Sequence, residues 1–244
     1  MKRKKHIRTH ETKLLMDKDT PFAIKEAFNQ LRTNIMYYPN DAEGCPVYGI
    51  TSAKMNVGKS TVSANLAVSF AQLGKKVLLI DADMRSPMQH KIFGFEEDQK
   101  GFSELLSGLI EDDVSVRCIS HEKVSVITSG AIPANPSALL LGKKTEELIE
   151  KWKKEFDIIF VDFPPVGMVT DPLTIFDKIS GYIMVATIDK SDARHVNAAI
   201  EMIDQIGGKI IGLVINGVDP REGYKYSYKY KYKYNYDYRS KDHS

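Results

Sequence analysis

The sequence predicts an α/β domain: a doubly wound, mostly parallel sheet with helices on both faces. Three observations carry this. Short runs such as 77–80 and 158–161 are apolar at every position, which suits strands covered on both sides rather than on one. Segments with helical spacing alternate with those runs. Acidic and glycine-rich stretches follow the runs, where ligands sit in such sheets.

Thr20-Pro21 reads as an N-cap and first-turn pair opening a helix over 21–37, with Phe22, Ala23, Phe28, Leu31 and Ile35 near helical spacing. Residues 47–51 form a strand and 60–73 a helix stopped by Gly74. A strand at 77–80 and a short helix at 101–108 follow, then a strand at 124–128 and a Gly/Pro/Asn loop to Pro136. A helix over 137–154 leads to the strand at 158–161 and a short helix at 171–179. Strand 182–187, helix 193–206 and strand 210–215 complete the pattern.

Length and composition bound the classes. The 244 residues are 43% hydrophobic and 27% charged, enough for a sizeable core and unlike collagen, disulfide scaffolds or wholly disordered chains. Cys45 and Cys118 are too few for a disulfide framework and read as reduced, buried thiols. No run of 18 apolar residues suggests a membrane span, and the basic start has no apolar stretch behind it to make a signal peptide.

The net charge of +2 is unevenly spread. Residues 1–19 and 220–244 each carry +4, which leaves −6 on 20–219. This divides the chain into a basic, flexible N-terminal segment (1–19), a folded body (20–219) and a flexible tyrosine-rich tail (220–244). The basic ends suit solvent or anionic lipid headgroups. An acidic body without a reading helix excludes nucleic acid as the expected partner.

Ala53-Lys54-Met55-Asn56-Val57-Gly58-Lys59-Ser60, followed by Thr61, lies between a strand and a helix and fits the A/G-x4-G-K-S/T phosphate cradle. Backbone N–H groups at a helix N-terminus favour phosphate oxygens. Lys59 supplies charge to β/γ-phosphates, and the Ser60 hydroxyl is placed for Mg²⁺. Lys54 stands where deviant phosphate-loop ATPases carry an extra lysine. Asp81 and Asp83 follow one buried strand and Asp162 another, places from which a carboxylate can reach a metal directly or through water. Arg85 suits a phosphate, a neighbouring subunit or a salt bridge.

The tail holds eight of the twelve tyrosines, at Tyr224, Tyr226, Tyr228, Tyr230, Tyr232, Tyr234, Tyr236 and Tyr238, alternating mostly with lysines. An edge strand, a nucleic-acid stacking arm and a phosphoacceptor cluster fit such alternation. The cluster reading makes it a charge switch, since each phosphate adds roughly −1.5 to −2.

Together these segments resemble the bacterial tyrosine kinases of capsule and exopolysaccharide synthesis, over about residues 20–244. The resemblance is to the cytoplasmic kinase chain of the two-polypeptide form, whose activator is a separate membrane protein. Residues 53–60 match the family's Walker A motif, 78–85 its A′ motif (D-x-D-x-R after aliphatics) and 159–165 its Walker B motif; the loop from Ser129 through Pro133, Asn135 and Pro136 is also similar. The resemblance implies a sheet of the P-loop NTPase type. It implies ATP and Mg²⁺ as cofactors, held by Lys59 and Ser60, with Asp83 and Asp162 assisting the metal. It makes Asp81 the best candidate for activating the acceptor hydroxyl, without settling which acid is the base. It implies other protein-tyrosine substrates, tail phosphorylation in trans within a homo-oligomeric ring, and a cytoplasmic protein held at the inner membrane face through the activator. One departure concerns assembly: of the family's E-x-x-R-x-x-R helix, Glu26 and Arg32 are present but Asn29 replaces the middle arginine. The other readings are an ATPase switch of the partition and division-site class, without tyrosine transfer, and a nucleotide-holding module with no turnover.

Overall fold

The computed structural model describes residues 15–39, 44–96, 100–111, 116–119 (backbone only), 124–188 and 191–218. The basic residues 1–14, the Cys118 side chain and all eight tail tyrosines lie outside the described residues. The strands are β1 (Val47–Ser52), β2 (Val77–Asp81), β3 (Val116–Ile119), β4 (Val124–Ile127), β5 (Ile158–Asp162), β6 (Gly181–Thr187) and β7 (Ile210–Asn216). They form one sheet in the order β3-β4-β2-β5-β1-β6-β7. Every described pairing is parallel except β3 with β4, so β3 is an antiparallel edge on a parallel sheet. The expected doubly wound α/β architecture is the observed one.

The helices are α1 (Phe22–Met36), α2 (Lys59–Ala71), α3 (Gln89–Phe93), α4 (Phe102–Leu106), α5 (Pro136–Leu140), α6 (Lys143–Trp152) and α7 (Ala193–Asp204). Two hydrophobic clusters, one on each face of the sheet, explain the wholly buried runs β1, β2 and β5. On one face Leu78, Ile80, Ile159 and Val161 meet Leu105, Ile149, Trp152 and Ile203. On the other, Ile50, Leu79 and Phe160 meet Val62, Leu66 and Phe70 of α2 and Ile35 of α1. Among the described residues no helix is long and apolar enough to cross a membrane.

Several expectations need correction. Helix α1 begins after Pro21, and the Thr20 hydroxyl accepts from the Asp17 N–H at 2.8 Å rather than capping the helix. Within the expected N-terminal segment 1–19, Met16 is buried and its N–H donates to Asn65 Oδ1 at 2.6 Å. The single helix expected over 137–154 is two, broken at Gly142, whose backbone is extended (φ −66°, ψ 147°). The short helix at 171–179 is a pair of 3-10 turns, Asp171–Leu173 and Phe176–Lys178. Helix α3 and strand β3 have no counterpart among the elements that the sequence predicts.

The Cys45 thiol is buried as expected; burial, then the nearby Asp157 charge, pushes it up to about 12, so it stays a neutral thiol. Arg32, an expected subunit contact, has a partner within its own chain. Its guanidinium turns onto its own chain and donates to the Ser69 carbonyl of α2 at 2.6 Å. Asn29, in place of arginine, donates to the exposed Glu26 at 2.8 Å, so the altered position satisfies itself locally.

Gly101 gives a test of the β4–α4 junction. A Cβ there would sit 2.2 Å from the Thr128 carbonyl oxygen, which is backbone and cannot swing away. Gly101→Ala is expected to cost about 1–3 kcal/mol, read as a lower urea midpoint. Gly212→Ala in β7, with open space around it and no positive φ, should leave the midpoint unchanged or slightly raised.

Candidate active site

Strand β1 ends at Ser52 and α2 begins at Lys59, so the loop between them lies at the carboxyl edge of the sheet. Two of its residues adopt left-handed backbone: Gly58 (φ 81°) and Asn56 (φ 59°), the latter the one non-glycine residue with positive φ among the described residues. Asparagine tolerates this region better than most side chains. Gly58 is needed for a second reason, because a Cβ would sit 2.1 Å from Asn216 Nδ2. That amide, at the end of β7, donates to the Val57 carbonyl at 2.9 Å and pins the loop from the far side of β6.

The loop walls a cavity of about 320 Å³. Lys54 through Thr61 line it, with Asp83, Arg85, Ser86 and Met88 from the segment after β2. Pro164, Pro165, Met168 and Val169 from the segment after β5 complete the wall. Thr51 ties that last segment to β1: its hydroxyl donates to the Pro164 carbonyl at 2.8 Å and accepts from the Val166 N–H at 3.1 Å. The size is within the range of small-ligand pockets.

The parallel pairing of β2 with β5 sets Asp81 directly beside Asp162. Lys59, itself buried, reaches across to these acids. Its Nζ is 2.7 Å from Asp162 Oδ1, 3.4 Å from Asp83 Oδ2 and 3.4 Å from the Ser60 hydroxyl. Burial works against the Lys59 charge, but Asp162 and Asp83 outweigh it and hold the ammonium above its ordinary pKa. Asp83 is pushed up by burial despite Lys59. Asp81 is pushed up to about 8, first by burial and then by the charge of Asp162.

The three acids differ in what they face. Asp83 borders the cavity, with its Oδ1 accepting from the Ser86 N–H at 3.0 Å. Asp81 is fully buried and is not in the cavity wall. Its carboxylate accepts from the N–H groups of Asp83 (3.2 Å), Met88 (3.1 Å) and Gln89 (2.9 Å). Asp81, the expected activator of the acceptor hydroxyl, thus has its oxygens engaged with the loop that carries Asp83. Asp162 is fully buried as well, held by Lys59 on Oδ1 and by Gln89 Nε2 on Oδ2 at 2.7 Å.

Of the readings for Arg85, the structure forms the salt bridge. Its Nε and Nη2 grip Asp171 at 2.7 and 3.0 Å. Burial pushes the Asp171 carboxyl up, but Arg85 and the Ser137 hydroxyl, which also donates to it, hold it below the usual range. This joins the A′ segment to the 3-10 turn at 171 and to α5, whose N-terminus is capped by the Asn135 side chain. The Arg85 side chain remains about two-fifths exposed, and the residue lines the cavity.

Mg²⁺ fits these residues only together with phosphate. Among the described residues no three His, Cys, Asp or Glu side chains could hold an ion by themselves. Ser60 and Asp83 offer oxygen ligands beside the cavity, and Asp162 lies one lysine nitrogen away. Mg²⁺ takes few protein ligands and keeps waters and phosphate oxygens, so this sparse oxygen set suits it.

Gln89, Asp171, Thr51 and Asn216 are site residues that the sequence alone does not single out. Asp171 carries a weak signal, as an acid shortly after the Walker B motif; the others carry no local signal.

A family model described as ParA, NUBPL iron-transfer P-loop NTPase, matches residues 46–219. A tyrosine-protein kinase CpsD of Streptococcus agalactiae is 35% identical over 195 residues, covering 80% of this chain and 83% of that protein. The crystal structure of the chimerical protein CapA2B2 superposes with a TM-score of 0.74 at 34% identity, over 79% of this chain and 84% of that one. The kinase domain of the Escherichia coli tyrosine kinase ETK superposes with a TM-score of 0.75 at 32% identity, over 80% of this chain and 75% of that one. With its lysine, paired strand-end acids and phosphate loop in this arrangement, the chain belongs to the bacterial tyrosine-protein kinases, a branch of the ParA-like P-loop NTPases.

Proposed function

We propose that the chain transfers the γ-phosphoryl group of ATP to protein tyrosines, its own C-terminal cluster included, and so regulates capsular or exopolysaccharide synthesis. The observation that carries this reading is Lys59 buried against Asp162 and Asp83 at the mouth of a loop-walled cavity. Phosphoryl transfer asks the protein mainly for positioning and charge.

The residues divide the work. The loop from Ala53 to Ser60 and the N-terminus of α2 receive the phosphates. Lys59 exchanges its carboxylate partners for phosphate oxygens, and Ser60 and Asp83 are freed to face the metal. Bound Mg²⁺ would neutralise charge on the transferred group and fix its geometry. Asp83, the acid that borders the cavity, stands where an incoming phenol would meet a carboxylate. Asp81 keeps the 83–89 segment in place. The apolar wall from Pro164 to Val169 narrows water access on one side.

The tail tyrosines are the proposed acceptors, used in trans by a neighbouring copy in a ring. Glu26 on the exposed side of α1 is the proposed contact retained for assembly. A membrane-anchored activator is the proposed partner that brings this otherwise cytoplasmic kinase to the inner membrane face. The capsule setting rests on the relatives named CpsD and CapB, and the name of the CapA2B2 chimera pairs a CapA part with a CapB part. The ATPase-switch reading shares the fold but gives no use to eight clustered tyrosines.

Three measurements test this. With radiolabelled ATP and activator present, label should appear on tyrosine; phosphate release without labelled tyrosine would identify a switch. Lys59→Met should lower labelling by about 100-fold or more, since it removes a charge that stabilises the transferring group. Changing all eight tail tyrosines to Phe should abolish most self-labelling yet retain transfer to an added tyrosine peptide; undiminished self-labelling would place the acceptors elsewhere.

A fourth concerns pH. Asp81 is held above its unfolded value of roughly 3.9 to about 8. The nucleotide-free native state thus binds the extra proton between these limits, and stability falls as pH rises through that window. Asp81→Asn loses hydrogen bonds and is less stable throughout, but its Tm should fall less between pH 5 and 8.5 than that of the wild type. Parallel profiles would show that Asp81 is not the group that titrates.

A further inference from the structure

Gln89 opens α3, eight residues past Asp81, and is fully buried. Its backbone N–H donates to Asp81 Oδ2, while its side chain turns to the other strand-end acid. Nε2 lies 2.7 Å from Asp162 Oδ2, 3.1 Å from the Ser60 carbonyl and 3.0 Å from the Ser63 hydroxyl. Because Asp162 and the carbonyl can only accept, the amide must face them with its nitrogen. Its Oε1 is then buried with no hydrogen-bond partner, an arrangement that normally calls for a donor such as water.

Asp162 has two side-chain partners among the hydrogen bonds described: Lys59 on Oδ1 and Gln89 on Oδ2. In the proposed function Lys59 must leave Asp162 to meet phosphate. Something has to hold the carboxylate in place when that happens, since a buried acid stripped of its partners is costly. Gln89 is positioned to do so.

We propose that Gln89 is a positioning residue for the metal site: it keeps Asp162 aimed at Mg²⁺ while Lys59 changes partners. The inference rests on the nucleotide-binding part of the proposed function. It does not depend on tyrosine being the acceptor. Outer partners of metal-facing carboxylates typically change metal affinity by about 10- to 100-fold when removed.

The test uses the full chain with saturating ADP and Mn²⁺ as the probe, titrated by electron paramagnetic resonance, with no acceptor present. Gln89→Met, similar in length but without a donor, should weaken Mn²⁺ binding in the ADP complex by about tenfold. Ser63→Ala removes another partner of the same amide without touching Asp162, and should stay within about twofold of wild type. Should Gln89→Met not fold, Gln89→Asn, one methylene too short to reach Asp162, is read the same way. Mn²⁺ affinity within about twofold of wild type in the Gln89 variant would overturn the proposal, and so would an equal loss in Ser63→Ala, which would point to packing alone. Absence of tyrosine labelling in separate assays would count against the kinase reading and leave this result standing.

Discussion

The site depends on one buried cation among acids that the sheet forces together. Adjacent parallel strands place Asp81 beside Asp162 whatever their mutual repulsion, and Asp83 follows two residues on. Lys59 is the counter-charge that makes this tolerable. A buried ion pair of this kind is weak evidence for stability, because desolvation offsets much of the attraction. In the proposed function it is a resting arrangement: the lysine is held where phosphate would claim it, and the surplus negative charge is relieved by a proton near Asp81 and would be relieved further by bound Mg²⁺.

A second level of structure holds the machinery from outside. Thr51 couples β1 to the Pro164–Val166 backbone. Arg85, Asp171 and Ser137 link the A′ segment to α5. Gln89 joins both acids to α2. These contacts span between 8 and 115 positions along the chain, and each ends on a residue that borders or supports the cavity. Loop positions of an α/β sheet are thereby given the rigidity that a positional mechanism requires.

Much of this architecture is legible in the sequence because it is local. The wholly apolar runs at 77–80 and 158–161, the glycine at 74 and the loop before Lys59 each signal their element without help from distant residues. The parts that are not legible are set by tertiary contacts. Helix α3 is five residues long, and the carboxylate that accepts its first N–H groups comes from Asp81, on the preceding strand. Strand β3 is a four-residue edge, Val-Arg-Cys-Ile, too short for a periodic signal. Residues 137–154 read as one continuous helix because the apolar spacing survives Gly142, while the backbone turns out there. For the site, Lys59 and the acids stand in recognisable motifs; Gln89 and Asn216 are ordinary amides until the fold brings them to Asp162 and Val57. The Arg32 contact is hidden for the same reason, since a helical repeat does not reveal that Ser69 offers a carbonyl.

The Asn216 contact has a consequence for reach. It fastens the last strand to the nucleotide loop, so the chain that follows departs from beside the cavity itself. Tyr224 is eight residues beyond this anchor and Tyr238 twenty-two; at ~3.4 Å per residue, chain length limits their distance from it to no more than about 27 and about 75 Å. That bound on chain length, applied to the proposed acceptor cluster, lets its distal tyrosines be presented well beyond this domain's edge and confines its proximal ones to the edge itself. On the proposed reading, position along the tail therefore limits which tyrosines a second copy could take.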